Sequence, residues 1–311
     1  MAILETRDGV RLFWKELGEG QPVILIHGWP LSSDSWDPIM MALAENGYRA
    51  IAYDRRGFGR SDHAKSGYDY DTFADDLADV MKAAGAHSDV ALVGFSMGGG
   101  EVARYMSRHG GSGVTRAVLV SSIVPHMLKT DDNPDGVAQS TFDEMTAGMK
   151  DNFRKFFTGF FQDFYGDGWI THKVSDEEKH WAWMTTMRAS QYATLQSAKA
   201  FATTDFRPDL PSLSVPTLVI HGTSDKTVPI DATGREVAKQ VPSAEIIEYS
   251  GEPHGIFATQ TDRLAEDIIA FLNRSGQGDA FEGFDRASPH DRQVLVDEVT
   301  AGSVATSPAN L

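Results

Sequence analysis

The segment "DVALVGFSMGGGEVARYM", Asp89 to Met106, restricts the fold more than any other part of the 311-residue chain. Val90 to Phe95 form an apolar run without polar alternation, the pattern of a strand covered on both faces. The residues from Glu101 to Arg108 suit a helix, so Ser96 is predicted at a sharp strand-to-helix turn. Gly94 and Gly98 leave room where side chains would crowd such a turn, and Gly99 and Gly100 permit close helix approach.

The same rhythm recurs along the chain. "PVILIHG", "YRAIAYD", "TRAVLVSS", "VPTLVIHG" and "SAEIIEYSG" read as further strands, and "AILET" and "VRLFWKEL" as a hairpin closed at Asp8-Gly9. Helices fit between them at Asp37 to Asn46 and Asp71 to Ala84. In the second, Phe73, Leu77, Val80 and Met81 share one face. Strand and helix alternation predicts a mostly parallel central sheet flanked by helices. Between Ile123 and Leu210 the alternation stops. Two segments rich in Phe, Trp and Tyr, beginning at Phe142 and Ser175, predict a helical cap over the sheet. The expected organisation is a core in two parts, 1–124 and 213–274, around a cap at 125–212. A C-terminal extension follows at 275–311, docked or frayed, with a short amphipathic element near Arg292 to Val299. Phe281, Phe284, Val294 and Leu295 are its docking candidates.

Charge and composition narrow the partners. A net charge of -16 repels nucleic-acid phosphates and anionic membranes, so neither is expected as a partner. The absence of cysteine removes disulfides, a thiol nucleophile and thiolate metal sites. The N-terminal residues lack the apolar core of a secretory signal, and no apolar run is long enough to span a bilayer. A cytoplasmic location is the resulting expectation.

Ser96 needs a base to attack a carbonyl. His254, after "EIIEYSGEP", is the preferred base, with Asp225, in "TSDKTV", orienting its imidazole. Both follow strand-like segments, and the order Ser, Asp, His is that of an α/β-hydrolase. Taken singly, each residue has a plainer reading: a loop serine caps locally, Asp225 caps a turn, and His254 faces solvent or satisfies a hydrogen bond. The ordered placement at three strand ends favours the catalytic reading. His221 is expected to be structural, packing near Asp225. The backbone N–H groups of Met97 and Trp29 are the candidates for binding the oxyanion, and the Trp29 indole is a candidate pocket wall. Phe156, Phe160, Phe161, Trp181 and Trp183 could contribute to an apolar acyl site, though core packing explains any one of them equally well.

Beyond these residues, "PVILIHGWPLSSDSW", "YRAIAYDRRGFGRSD", "GYDYDTFADDLADVM", "LVGFSMGGGEVARY", "HMLKTDDNPDG" and "SAEIIEYSGEPHG" resemble the bacterial cofactor-free haloperoxidases, also called non-haem chloroperoxidases or bromoperoxidases. The resemblance runs from Leu12 to Asn273. It implies an α/β-hydrolase fold, with Ser96 as nucleophile, Asp225 as orienter, His254 as acid and base, and anion binding at Trp29 and Met97. It implies no metal and no other cofactor. Its expected partners are small carboxylic acids or esters, hydrogen peroxide, and a halide oxidised by the released peracid. It also implies possible homo-oligomers. The extension after Ser275 departs from the family's usual end, and Trp29 stands where smaller pocket shapes are familiar.

Two other readings compete, and three more fit the residues less well. A carboxylesterase or lactamase would share the serine chemistry without physiological halogenation. A ligand-binding or interaction protein could use the same fold without catalysis. Dehalogenases and epoxide hydrolases normally carry a carboxylate where Ser96 stands. A metalloenzyme lacks a ligand set around His27 or His221, and a dinucleotide reading lacks its glycine fingerprint.

Overall fold

The apolar runs become the interior strands of one sheet in the computed structural model, which describes residues 1–168 and 172–274. Its strands are β1 (Ala2–Glu5), β2 (Arg11–Leu17), β3 (Gln21–Ile26), β4 (Tyr48–Tyr53), β5 (Val90–Phe95), β6 (Val114–Val120), β7 (Thr217–Gly222) and β8 (Ala244–Tyr249). Their spatial order is β1-β2-β4-β3-β5-β6-β7-β8. The two pairings that involve β2 are antiparallel, and every pairing from β4 across to β8 is parallel. All six residues of β5 and of β7 are buried, which is why their sequences lack alternation. Each fully buried Val, Leu or Phe contributes about 1.5–3 kcal/mol.

Helices α1 (Asp37–Glu45), α2 (Tyr70–Ala83) and α3 (Met97–Arg108) make the first crossovers. Helix α1 begins on the Trp36–Pro38 turn, whose proline suits a first-turn position. The α2 N-terminus is capped by the Asp69 carboxylate on the Thr72 N–H at 2.9 Å. Two helices expected from the periodicity thus form within a residue or so of the expected limits. Helix α3 starts earlier than expected, at Met97, because its first turn is made of the glycines that follow the serine.

The cap comprises α4 (Gln139–Phe164), α5 (Asp176–Met187) and α6 (Gln191–Thr203). Helix α4 breaks at Asn152, where φ is -149° and ψ is 89°. The Asn152 side chain then accepts the Lys155 N–H at 3.0 Å and caps the second half. Helices α5 and α6 separate because Ser190 caps α6, accepting from the Ala193 N–H at 3.3 Å. The chain returns through β7, α7 (Gly234–Gln240), β8, α8 (Ile256–Thr259) and α9 (Thr261–Leu272). Helix α1 packs against α9, and α2 against α3. Core and cap belong to one compact unit, Met1–Asn273. The readings made for 275–311, including Phe281, Phe284, Val294 and Leu295, lie outside the described residues. Among the described residues no helix is long and apolar enough to cross a membrane.

Strand order places the site. After β3 the chain steps through α1 to β4, then returns past β3 through α2 to β5. The neighbouring strands β3 and β5 therefore lead away in opposite directions, the position at which open α/β sheets bind ligands. Ile26 pairs with Gly94, so Trp29 and Ser96 follow at the same end of the sheet.

Candidate active site

Ser96 occupies the turn between β5 and α3 with φ 53° and ψ -117°, a conformation that costs a non-glycine residue about 1–3 kcal/mol. Its N–H donates to the Val120 carbonyl at 2.8 Å, and its carbonyl accepts from the Gly99 N–H at 3.0 Å. The glycines are needed because backbone lies against them. A Cβ on Gly94 would sit 2.5 Å from the Gly98 oxygen, and one on Gly98 would sit 2.5 Å from the Ile26 oxygen. This strained turn presents Ser96 Oγ to the loop that bears His254, while α3 begins at the next residue.

The three residues predicted from separate loops meet. His254 Nε2 lies 2.9 Å from Ser96 Oγ, and His254 Nδ1 lies 2.7 Å from Asp225 Oδ2. The imidazole is 1% exposed, and Ser96 retains 6% exposure. Asp225 is anchored from below: its Oδ1 accepts the Thr227 and Val228 N–H groups at 2.9 and 2.8 Å. Burial pushes the Asp225 carboxyl upward, but the neighbouring His254 and His221 outweigh it and hold the group down at about 2. The carboxylate is therefore ionised at neutral pH.

The sequence placed His221 near Asp225. The structure adds that His221 Nε2 lies 3.3 Å from Oδ2, while also facing the Val228 carbonyl at 2.9 Å. Two aromatic rings enclose the His254 imidazole. Phe95 tilts against it and Phe164 meets it edge-on, each with centroids 5.0 Å away. Neither ring was singled out by sequence, although Phe95 lies within the serine pentapeptide.

Trp29 follows β3 on the adjoining loop. A Cβ on Gly28 would fall 3.1 Å from Ser96 Cβ, which places this loop directly against the serine. Among the described residues, neither the Trp29 N–H nor the Met97 N–H has a hydrogen-bond acceptor. Met97 is the first residue of α3, where backbone donors have no partner inside the helix and favour negative charge. The Trp29 indole is buried. Its Nε1 donates to the Thr194 carbonyl at 2.9 Å, and its ring contacts Phe157, Phe160 and Phe201 at 5.3, 5.3 and 5.4 Å.

The aromatic candidates divide. Phe160 bridges Trp29 and Phe164, whereas Phe161 is a buried packing residue. Phe156 stacks on Phe160. Trp183 donates to the Arg154 carbonyl at 3.0 Å and stacks on His180, and Trp181 lines a cleft of about 480 Å³ with Asp37, Pro38 and Phe257. Among the described residues, no group of three or more His, Asp or Glu side chains is placed to hold a metal ion.

Comparison with known proteins adds to this geometry. A family model described as alpha/beta hydrolase fold matches residues 21–261. The non-heme chloroperoxidase CPO-A1 of Kitasatospora aureofaciens is 44% identical over 276 residues, covering 88% of this chain and all of the relative. The bifunctional esterase/perhydrolase DCH of Acinetobacter calcoaceticus is 38% identical over 88% of this chain and 99% of its own length. Among solved structures, a bromoperoxidase from Bacillus anthracis superposes with a TM-score of 0.85 at 38% identity, covering 88% of this chain and 99% of that one. An esterase from Exiguobacterium antarcticum gives 0.83 at 29% identity, with the same coverage.

Proposed function

The chain belongs to the α/β-hydrolase family, among its serine-dependent non-haem chloroperoxidase and perhydrolase-like members, and we propose that Ser96, His254 and Asp225 carry out acyl transfer to water and to hydrogen peroxide. The observation that carries this reading is the unbroken contact chain from Ser96 Oγ through His254 to Asp225.

In the proposed reaction, Ser96 Oγ attacks the carbonyl of an ester or carboxylic acid while His254 Nε2 takes its proton. The oxyanion is held by the Trp29 and Met97 N–H groups, which need no reorientation. His254 returns the proton to the departing alcohol or water, leaving an acyl-serine. Water then gives the acid. Hydrogen peroxide, losing a proton to His254, gives a peracid and frees Ser96. The released peracid transfers an oxygen to bromide or chloride, yielding hypohalous acid and the carboxylate. The rings of Phe160, Phe164 and Trp29 favour a small apolar acyl group by excluding water around the reacting carbonyl. A plain esterase is the second reading, favoured by the esterase among the solved structures.

The test is peroxide-dependent bromination of monochlorodimedone with acetate and bromide, run beside ester hydrolysis. Ser96→Ala is expected to lower both rates by on the order of 10⁶-fold. Ester hydrolysis that depends on Ser96, with no peroxide-dependent bromination, would leave the esterase reading. Undiminished ester turnover by Ser96→Ala would remove the site altogether.

A further inference from the structure

Beneath the loop that carries Trp29 lies a buried polar chain that acyl transfer does not itself employ. Arg55 is 1% exposed and Glu101 is fully buried. The Arg55 Nε donates to Glu101 Oε1, and the Tyr53 hydroxyl donates to Glu101 Oε2. Arg55 then lies against His27, with its Nη1 3.4 Å from Nδ1, and holds the residue by two shorter hydrogen bonds. Its Nη2 donates to the His27 carbonyl at 2.7 Å, and its backbone N–H donates to His27 Nε2 at 3.0 Å.

Those contacts fix the state of the imidazole. The Arg55 N–H can only donate, so His27 Nε2 must be an unprotonated acceptor. The proton lies on Nδ1, which donates to the Gly28 carbonyl at 2.8 Å. Burial and then the Arg55 charge hold the His27 pKa down to about 3, in keeping with a neutral ring. The same Gly28 carbonyl accepts the Leu31 N–H at 3.0 Å. In a trans peptide the carbonyl and the following N–H lie in one plane and point in opposite directions. Two donors on the Gly28 oxygen therefore set the direction of the Trp29 N–H.

We propose that His27 is a positioning residue for acyl transfer: held by Arg55 and Glu101, it fixes the Gly28–Trp29 peptide so that the Trp29 amide faces the developing oxyanion. This inference rests on the reading of Trp29 as an oxyanion donor. Stability alone gives little reason for the network, since a buried ion pair is often replaceable by apolar packing without loss. Preorientation gives one, because a donor that must turn during the reaction loses much of its advantage.

The two ring nitrogens can be tested separately in the full chain. The Asn side-chain amide reaches the place of Nδ1 and can still donate to the Gly28 oxygen. The Gln amide reaches the place of Nε2 and supplies an acceptor for Arg55, but leaves the Gly28 carbonyl without its side-chain donor. His27→Gln is expected to lower kcat for ester hydrolysis by about 10²-fold, with KM within a few-fold and an unshifted pH profile. His27→Asn should recover most of kcat. Thermal melts of both variants accompany the kinetics. Wild-type kcat in His27→Gln, with Ser96→Ala inactive, would overturn the inference and leave the serine mechanism intact. Equal losses in the Asn and Gln variants would also overturn it, because the bond to Gly28 would then not be the determinant. Full turnover by Ser96→Ala would instead overturn the underlying reading.

Discussion

His221, on β7, and His254, after β8, converge on one oxygen, Oδ2 of Asp225, at 3.3 and 2.7 Å. Asp225 has its pKa depressed from 3.8 to about 2, so it contributes stability above the unfolded value that is lost as pH falls from about 4 to 2. The contribution is on the order of 2 kcal/mol. His221→Phe removes one of the two partners that hold the carboxyl down. The acid limb of unfolding, followed by denaturant midpoints from about pH 5 down to 2, should move upward by roughly half a unit or more. An unmoved limb would mean that His254 alone sustains the ionised carboxylate.

Two glycines, one beside Ser96 and one in the cap, should respond to alanine with opposite signs. In Gly98→Ala the new methyl would lie 2.5 Å from the Ile26 carbonyl, in a central strand that cannot easily withdraw. A loss of about 1–3 kcal/mol is expected. Gly159 lies exposed within α4, and nothing stands within 4 Å of its added Cβ. Gly159→Ala should therefore stabilise the protein by about 0.5–1 kcal/mol. Urea unfolding of the two variants beside the parent measures both signs.

The contrast between these glycines also marks what sequence could supply. Strands β3 to β7 were legible because burial on both faces removes polar alternation, and the loops bearing Ser96, Asp225 and His254 could be placed from the strands they follow. The break in α4 at Asn152 was missed, since one asparagine cap inside a long aromatic segment is a weak signal. The Arg55–Glu101 pair was equally invisible. Its members lie 46 residues apart, and nothing local to either distinguishes a buried charge from a solvated one. Phe164 was unread for a related reason: its contact with His254 exists only after the cap folds over the sheet.

The loop that carries His254 is tied to the segment ahead of α5. Lys173 Nζ donates to the Gly251 carbonyl and to Glu252 Oε1, both at 2.9 Å, and Thr259 donates to the other Glu252 oxygen at 2.8 Å. Lys173→Met keeps most of the side-chain bulk and removes both bonds. Because Glu252 is only two residues from His254, kcat should fall by about fivefold, the equivalent of roughly 1 kcal/mol for a partly exposed pair. High salt should reduce parental kcat toward the variant's, while leaving the variant itself nearly unchanged. Steady-state ester hydrolysis in a salt series distinguishes this from a general loss of folding, which would lower active enzyme without that pattern.

Acyl-chain length should be read by Phe160. Its ring lies 5.3 Å from Trp29, on the loop beside Ser96, and 5.5 Å from Phe164, which covers His254. It therefore closes the space between the proposed oxyanion donor and the proposed general base. Phe160→Ala opens that space without touching Ser96, His254 or either backbone N–H. A longer acyl chain can then bury methylenes that the parent excludes, each carrying roughly 1 kcal/mol or more of discrimination in an apolar pocket. The ratio of kcat/KM for a hexanoyl over an acetyl p-nitrophenyl ester should rise by about tenfold, chiefly through a lower KM for the longer ester. An unchanged ratio in a variant with parental acetyl turnover would show that the acyl chain leaves the site by another route, away from Phe160.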